Sequence, residues 1–179
     1  MGILQKNYGY QAGDGKMSVV KREVIESVEA LNRAYVDALD RAELKNWVAC
    51  FSGVPDAAYY CISAESVRRG LAVPLMCDDC RARIDDRVTF IEKVWAGTYE
   101  PYRTRHFTQL IDISHMDDQH YRSVFHFSIY VSAEGAGTEI LTSGRYEDLI
   151  VVDETSALFQ ERRAIYDADV LPRYIVYPF

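Results

Sequence analysis

The sequence has 179 residues, of which 49% are hydrophobic and 26% are charged, and its net charge is −7. A chain of this length buries about 70% of the surface that its unfolded form exposes, so a single domain needs no disulfide or metal for stability. The acidic balance argues against binding to a nucleic-acid backbone, which needs clustered Lys and Arg. No apolar run approaches the roughly 20 residues that span a bilayer. We therefore expect a globular protein with no nucleic-acid or membrane partner.

The N-terminal segment carries neither a secretory signal nor hydrophobic periodicity. Residues 1–17 are rich in Gly, Gln and Tyr, and we interpret them as an extended arm that precedes a single domain over residues 18–179. Because no secretory signal precedes them, the four cysteines predict free thiols in a reducing compartment. The expected location is the cytoplasm.

The first half of the domain shows helical periodicity. Apolar residues recur at steps of three and four over residues 20–39, which predicts an amphipathic helix. The same pattern predicts a second, short helix over residues 43–51 and a third helix over residues 78–95. On the third helix we expect Val88 and Trp95 to be buried against a sheet.

The second half of the domain alternates apolar and polar residues with a period of two, which is typical of strands. One short and four long strands are predicted, over residues 57–62, 105–114, 121–132, 138–152 and 157–169. Because the links between the long strands are short and polar, these strands should form an antiparallel meander. Helices followed by consecutive strands specify an α+β fold, with three N-terminal helices on one face of the sheet.

Two motifs contain residues that bind metals in other proteins. Cys77 and Cys80 have the spacing of half a zinc site or of a redox pair, but two further zinc ligands and a βαβ setting are both missing. Asp112, His115 and His120 have the composition of the two-histidine, one-carboxylate site of mononuclear iron. They straddle a predicted strand, turn and strand, so we interpret them as polar residues at the end of a hairpin. We predict no metal site in this chain.

A histidine near the start of the first long strand is the remaining candidate for catalysis. His106 could act as a general base with Asp56 and one of Tyr35, Tyr59 or Tyr60, as in a lyase or an isomerase. The alternative is a histidine in a structural polar network or a subunit contact. No nucleophile elbow, P-loop or dinucleotide fingerprint occurs in the sequence. We predict no catalytic or cofactor-binding residue and keep a self-sufficient cavity enzyme as the alternative.

Several short motifs occur together in a characteristic order. They are Tyr59-Tyr60, Asp86-Arg87-Val88, Arg103-Thr104-Arg105-His106, Ser143-Gly144-Arg145-Tyr146 and the stretch LPRYIVYPF over residues 171–179. In this arrangement the sequence resembles, over residues 20–179, the small (β) subunits of bacterial aromatic-ring-hydroxylating dioxygenases. The resemblance implies a cone-shaped fold with a curved antiparallel sheet, like those of nuclear transport factor 2 and the ketosteroid isomerases.

The resemblance also implies an assembly of three α and three β subunits with contacts between the β subunits. In that family the α subunit holds a Rieske [2Fe-2S] cluster and a mononuclear iron, and the β subunit is mainly structural, so this chain is expected to hold no cofactor. The C-terminal stretch and the pattern around Arg145 look most like members that act on aromatic carboxylates. Dehydratases and isomerases share the fold, and they stay the alternative.

Composition points to a subunit interface. The chain contains 13 tyrosines, a residue type that is enriched at interfaces. The alternative is that these tyrosines line the mouth of a cavity. The apolar residues 175–179 should dock, either into their own sheet or onto a neighbour, because exposed termini are usually polar. Arginine side chains nearby could pair with carboxylates of a partner. The predicted interface residues are Arg103, Arg105, His106, Tyr177 and Phe179.

Overall fold

The computed structural model describes residues 20–71, 73–117, 119–154 and 156–179. The predicted arm over residues 1–17 therefore lies outside the described residues. The helical elements, in chain order, are α1 (Arg22–Asp40), α2 (Leu44–Ala49), α3 (Ala64–Arg68), α4 (Arg81–Thr89) and a π-helix (Phe90–Val94). The strands are β1 (Ala58–Ser63), β2 (Met76–Asp78), β3 (Tyr102–His115), β4 (His120–Ala133), β5 (Thr138–Val152) and β6 (Ala157–Tyr166).

The six strands form one sheet in the order β2-β1-β6-β5-β4-β3. Strands β3 to β6 pair antiparallel in sequence order, as the short links predicted. Strand β1 joins the meander parallel to β6, and β2 adds an antiparallel edge to β1. The α+β prediction is confirmed, although strand β2 and helix α3 were not predicted.

Bulges bend the sheet around the helices. The pairing register shifts in all three hairpins of the meander, between Leu110 and Asp112, between Ile129 and Tyr130, and between Leu149 and Ile150. Each bulge adds a residue to one strand and increases the local twist. The resulting sheet is curved and open, and its concave face packs on the helices.

Helix α1 forms the main contact between the helical layer and the sheet. Its buried residues Val28, Leu31, Tyr35 and Leu39 recur at the predicted spacing of three and four. The helix begins at Arg22 instead of residue 20, because Lys21 has extended backbone angles. The amphipathic pattern therefore predicted the buried face of α1 correctly. It predicted the first residue of the helix only to within two residues.

The third predicted helix is shorter than expected. Asp78 belongs to β2 and Cys80 is fully extended, so α4 begins only at Arg81. After Thr89 the helix continues as a π-helix, in which Trp95 donates its amide to the carbonyl of Phe90, five residues back. Val88 is buried as predicted, but Trp95 is only half-buried. The extra residue in the π-turn changes the face on which Trp95 lies.

Candidate functional site

The interior between α1 and the sheet contains a charged side chain. Arg162, on β6, is fully buried and lies directly opposite Asp148 of β5. Its Nε and Nη2 atoms donate to the two carboxylate oxygens of Asp148, at 2.8 and 2.9 Å. The hydroxyl of Ser123 donates a third hydrogen bond to the same carboxylate at 2.9 Å. Such a bidentate, fully desolvated pair satisfies the carboxylate and fixes the register of β5 against β6.

Aromatic rings surround the guanidinium group. Its central carbon lies 4.2, 4.1 and 3.9 Å from the ring centroids of Tyr35, Tyr146 and Phe159. Asn32 on α1 accepts a hydrogen bond from Arg162 Nη2 at 2.9 Å. Burial by itself lowers the pKa of Arg162, but the Asp148 carboxylate outweighs this effect and raises it, so the group stays charged. We call these residues, with Asp148, the Arg162 cluster.

Three donors in or next to the Arg162 cluster have no hydrogen-bond partner among the described residues. They are Arg162 Nη1, the Tyr146 hydroxyl and Trp47 Nε1, and all three side chains are fully buried. Tyr35 lies next to each of them, since its ring contacts Arg162, Trp47 and Tyr146. An unsatisfied buried donor costs about 1–3 kcal/mol, so this arrangement differs from an ordinary apolar core.

The C-terminal segment, residues 175–179, closes this interior. The Phe179 side chain is 1% exposed, and its ring meets the Tyr166 ring edge to face at 5.7 Å. The hydroxyl of Tyr35 donates to the main-chain oxygen of Phe179 at 2.5 Å, and the hydroxyl of Tyr59 accepts from its amide at 2.9 Å. Burial raises the pKa of both tyrosines above the ordinary value, so they remain protonated donors at neutral pH.

A second polar group joins the end of α1 to β3. Asp40 lies 2.6 Å from His106 Nδ1 and accepts from the His106 amide and the Thr104 hydroxyl, each at 3.0 Å. Burial by itself raises the pKa of Asp40, but the hydrogen bonds from His106 and Thr104 hold it below its usual value. An ionised carboxylate can only accept, so Nδ1 carries the proton. His106 Nε2 is buried and has no partner among the described residues.

The residues of the catalytic set considered for a cavity enzyme do not come together. His106 pairs with Asp40 and not with Asp56, which is exposed and accepts from Gln160 at 3.4 Å. Tyr35 and Tyr59 direct their hydroxyls at Phe179 instead. The pairing of His106 with Asp56 that a cavity enzyme could have used is therefore not formed, because Asp56 lies on the surface in the loop before β1.

The two candidate metal motifs are spread over the surface. Cys77 is exposed on β2, and both Cys77 and Cys80 are free thiols. His120 lies 2.6 Å from Asp117, and His115 packs on the Tyr121 ring. Within the described ranges, no three His, Cys, Asp or Glu side chains form a group that could hold a metal ion. Asp112, His115 and His120 lie around the β3–β4 hairpin end, where the sequence placed them.

The predicted interface residues divide into two groups. Arg103 and Arg105 are exposed and line an open groove of about 560 Å³ on the outer face of the sheet, together with Phe107 and Tyr130. His106 and Phe179 are buried inside their own chain, and Tyr177 is half-buried. The apolar C-terminal segment therefore docks into its own fold. Arg103, Arg105 and Tyr177 are the residues of this set that a partner could touch.

Sequence reasoning missed the Arg162 cluster. One signal was present, because Asp148 falls between Tyr146 and Ile150 on the apolar face of a strand with period two. A charged residue at such a position indicates a buried ion pair. Its partner Arg162 could not be found in the same way, because the bulge at Leu149 and Ile150 offsets the register between the two strands.

Dioxygenase β subunits and the dehydratases and isomerases are the two groups of proteins expected to share this fold. The comparison with known families distinguishes between them. A profile described as the ring-hydroxylating β subunit matches residues 35–173. The chain belongs to this family. The match spans the last six residues of α1 and every later element up to β6, and it confirms the resemblance drawn from the short motifs. Curated protein sequences include no significant match to this chain.

Solved structures show the same fold. The chain is 24% identical to the β subunit of a protein assigned as an aromatic-ring-hydroxylating dioxygenase from Novosphingobium aromaticivorans, with a TM-score of 0.72 over 82% of this chain and 91% of that chain. It is 15% identical to the β subunit of benzoate 1,2-dioxygenase from Burkholderia mallei, with a TM-score of 0.63 over 80% and 90% of the two chains.

The fold is shared with a second class of protein. A Novosphingobium aromaticivorans protein assigned as a scytalone dehydratase is 17% identical, with a TM-score of 0.62 over 84% of this β subunit and 90% of that chain. At these identities the structures establish the fold alone. In the part of the β subunit that the structure describes, no helix has the length and apolar composition needed to cross a membrane.

Proposed function

We propose that this chain is a non-catalytic supporting subunit, which holds the iron-containing α subunit of a ring-hydroxylating dioxygenase in its assembly. One observation carries the proposal: the interior is filled by the Arg162 cluster and closed by Phe179. The charged pair and the three aromatic rings around it join α1 to the sheet and occupy this part of the interior.

The cofactors of the reaction belong, in this proposal, to the partner subunit. The Rieske [2Fe-2S] cluster and the mononuclear iron need Cys and His ligands that converge. In this chain Cys77 and Cys80 lie at the strand edge before α4, and His120 is engaged with Asp117. The placement of these residues therefore supports cofactors held entirely by the α subunit.

The outer groove of the sheet is the surface that we assign to assembly into a complex of three α and three β subunits. Arg103 and Arg105 supply positive charge in a chain whose net charge is −7. Phe107 lines the same groove and is 61% exposed, and Ile140, which pairs with Tyr130 on the next strand, is 62% exposed. Exposed aromatic and aliphatic side chains next to arginines are typical of interface cores. An acidic segment of a neighbouring subunit fits this groove by charge.

The substrate class in this proposal is an aromatic carboxylate. Its support is the C-terminal stretch over residues 171–179 and the pattern around Arg145, together with the fold similarity to the benzoate 1,2-dioxygenase β subunit. The aromatic ring itself would be bound and hydroxylated in the α subunit. Turnover of benzoate, salicylate and anthranilate by the assembled complex tests this class directly.

Co-expression with the α subunit tests the supporting role. The partner is the neighbouring gene product that carries Cys-x-His and Cys-x-x-His. We expect co-purification, a hexamer by light scattering, and loss of that hexamer in the double variant Arg103→Glu/Arg105→Glu. The control variant Arg68→Glu/Arg69→Glu changes the net charge equally on exposed residues of another surface and should assemble normally. Equal assembly of both variants would contradict the assignment of the groove.

A cavity enzyme of the dehydratase or isomerase class is the second candidate, and one observation favours it. Asp40 orients His106, whose Nε2 is free of hydrogen bonds to described residues, as in a general base held by a carboxylate. A stable monomer that dehydrates or isomerises hydroxylated aromatics, and loses this activity in His106→Gln, would establish this function and overturn the supporting role.

A further inference from the structure

The outer groove of the sheet runs along β4 and has side chains of β3 and β5 as its walls. Its floor alternates small and large side chains of β4, which are Ser128, Tyr130 and Ser132. Arg103 and Arg105 of β3 lie directly beside Ser132 and Tyr130 in the strand pairing. The strands β3 and β5 are about 9–10 Å apart, which is twice the spacing of paired strands. This width admits one extended chain but not an α-helix, whose diameter with side chains is about 10–12 Å.

The groove carries positive charge and an apolar surface side by side. Among the described residues that line it are two arginines, and no aspartate or glutamate. Arg105 lies 3.9 Å from the buried carboxylate of Asp40, but its own side chain is 67% exposed. Phe107 and Tyr130 meet edge to face, with their ring centroids 5.5 Å apart. The groove therefore fits a partner that offers carboxylates together with an apolar side chain.

The spacing of the two arginines selects the conformation of the partner. Arg103 and Arg105 lie on the same face of β3, so their backbones are about 7 Å apart along the strand. Carboxylates on alternate residues of an extended segment have the same spacing. Arginine binds a carboxylate through two parallel hydrogen bonds, so each guanidinium group can take one acidic side chain.

A segment with these properties follows β6 in this same chain. Residues 167–170 have the sequence Asp-Ala-Asp-Val and belong to no helix or strand. Asp167 and Asp169 are exposed, and neither forms an ion pair in the described part of the chain. Val170 is 85% exposed, more than any other large hydrophobic residue among those described. Acidic and apolar side chains thus occur together on this segment without a partner.

The chain holds this segment away from its own groove. The amide of Asp167 donates to the Ser143 carbonyl oxygen at 2.9 Å, and the Ser143 hydroxyl donates to the Asp167 carboxylate at 3.1 Å. Beyond the segment, the amides of Val176 and Tyr177 donate to the Tyr102 hydroxyl. Both ends of the segment are therefore fixed, and the groove and the segment of one chain can be satisfied only by other copies.

We infer that the outer groove binds residues 167–170 of a second copy of this chain, with the two aspartates on the two arginines and Val170 on the aromatic pair. The inference rests on the proposed supporting function, because it names the partner of the surface that we assign to assembly. Each copy uses its groove toward one neighbour and its acidic segment toward the other. Such a head-to-tail contact closes into a ring when three copies are related by a three-fold axis.

Charge reversal on the acidic segment tests this contact from the side opposite the groove. In the complex co-expressed with the α subunit, Asp167→Arg/Asp169→Arg should lose the hexamer in light scattering, like Arg103→Glu/Arg105→Glu. All four substitutions in one chain should recover most of the hexamer, because every groove then meets a segment of opposite charge. A folded four-fold variant that stays dissociated would overturn the inference.

Two controls separate this contact from general effects of charge and local structure. Asp86→Arg/Glu92→Arg makes the same change of charge at two exposed positions elsewhere and should assemble normally. Ser143→Ala removes the hydrogen bond to Asp167 without a change of charge and should also assemble. Circular dichroism checks that each variant is folded. If Asp167→Arg/Asp169→Arg does not fold, Asp169→Arg alone is judged by the same rescue.

A photo-crosslinker in the groove identifies the occupant directly. With p-benzoylphenylalanine in place of Thr138, which lines the groove, we expect a band of two β chains on a denaturing gel. Mass spectrometry should find the crosslink in the peptide that contains residues 167–170. A crosslink within one chain, or to another peptide of the second copy, would contradict the inference.

The same experiments distinguish the failure of this inference from failure of the proposed function. Crosslinks to the α subunit, with loss of the hexamer in the groove variant alone, would overturn the inference and leave the groove assigned to assembly. A hexamer that survives both charge reversals would overturn the inference and the assignment of the groove together.

Discussion

Arg162 of β6 and Asp148 of β5 form an ion pair in the interior of the fold. Arg162 and Asp148 are both fully desolvated at the side chain, and each is surrounded by partners that fit its geometry. A buried pair often contributes little net stability compared with apolar residues, whereas the loss of one partner is severe. The importance of the pair is therefore best measured by breaking it.

Replacing Arg162 with methionine should reduce the free energy of unfolding by about 3–5 kcal/mol, because Asp148 is left as a buried unpaired carboxylate. Urea denaturation measures the loss. The matched control is Arg41→Met, whose pair with Asp37 is 62% and 58% exposed and should contribute less than about 1 kcal/mol. The double variant Arg162→Met/Asp148→Leu should recover most of the loss. Equal losses for the two single variants would contradict the role of the buried pair.

Asp40 predicts a specific dependence of stability on pH. Its pKa in the folded protein lies below the usual value, so its contribution is present above the unfolded pKa of about 3.9 and is lost as the pH falls through the folded pKa. Asp40→Asn should cost about 1–3 kcal/mol at neutral pH, since hydrogen bonds to His106 and Thr104 are weakened. The difference from the wild type should shrink below a pH of about 4.

Urea denaturation at a series of pH values measures this difference. Asp37→Asn is the control, because Asp37 lies on the same helix but is exposed and should change stability little. A difference between Asp40→Asn and the wild type that stays constant across the acid range would show that the carboxylate is not linked to folding.

At the scale of elements, one glycine allows β5 and β6 to approach closely. A Cβ atom at Gly144 would lie 2.2 Å from the carbonyl oxygen of Ile165 and 2.7 Å from the Phe127 ring. The sequence placed Gly144 in a strand motif, but only the pairing of the strands reveals this contact. Backbone atoms of β6 form part of the obstacle, so no side-chain rotation can relieve it.

Gly144→Ala should therefore destabilise the protein by roughly 1–3 kcal/mol or more, as overpacking does in a close-packed interior. Gly53→Ala is the control, because a Cβ at Gly53 meets nothing within 4 Å. Thermal unfolding followed by circular dichroism compares the two variants. Similar melting temperatures for both would show that the strands can separate at Gly144 without cost.

The third predicted helix illustrates a limit of periodicity. Ile84, Val88 and Ile91 are buried where the pattern placed them. The π-turn after Thr89 then changes the spacing, and Trp95 ends half-buried against Phe90, with their ring centroids 4.9 Å apart. A pattern with a period of 3.6 residues assumes a continuous α-helix. It therefore predicts the wrong buried face for residues that follow a π-turn, which contains one additional residue.

At the scale of the whole molecule, the proposed supporting role of this chain predicts its metal content. The isolated chain should bind far less than one iron per chain after anaerobic reconstitution, whereas the complex with the α subunit should contain iron and labile sulfide. Elemental analysis of both preparations makes the comparison. One iron per isolated chain that disappears in His115→Ala, but not in the surface control His126→Ala, would contradict cofactors held only by the partner.

The sequence determined the class of the fold and the family of the chain. Apolar residues recur with a period of 3.6 along a half-buried helix and with a period of 2 along a half-buried strand. This pattern depends only on residues that are close in the sequence, so α1 and the four long strands could be predicted. The short motifs carried the resemblance that the family comparison confirms. The antiparallel order of the meander followed from the length of its links.

Only the tertiary structure decided which polar groups meet. The partners of Arg162, His106 and Phe179 are 14, 66 and 144 residues distant in the chain. Contacts at such separations depend on strand register, on the bulges that offset it, and on where helix α1 lies on the sheet. Those features arise from the packing of the whole chain at once. The sequence therefore offered Asp56 only as one possible partner of His106, whereas the structure pairs His106 with Asp40.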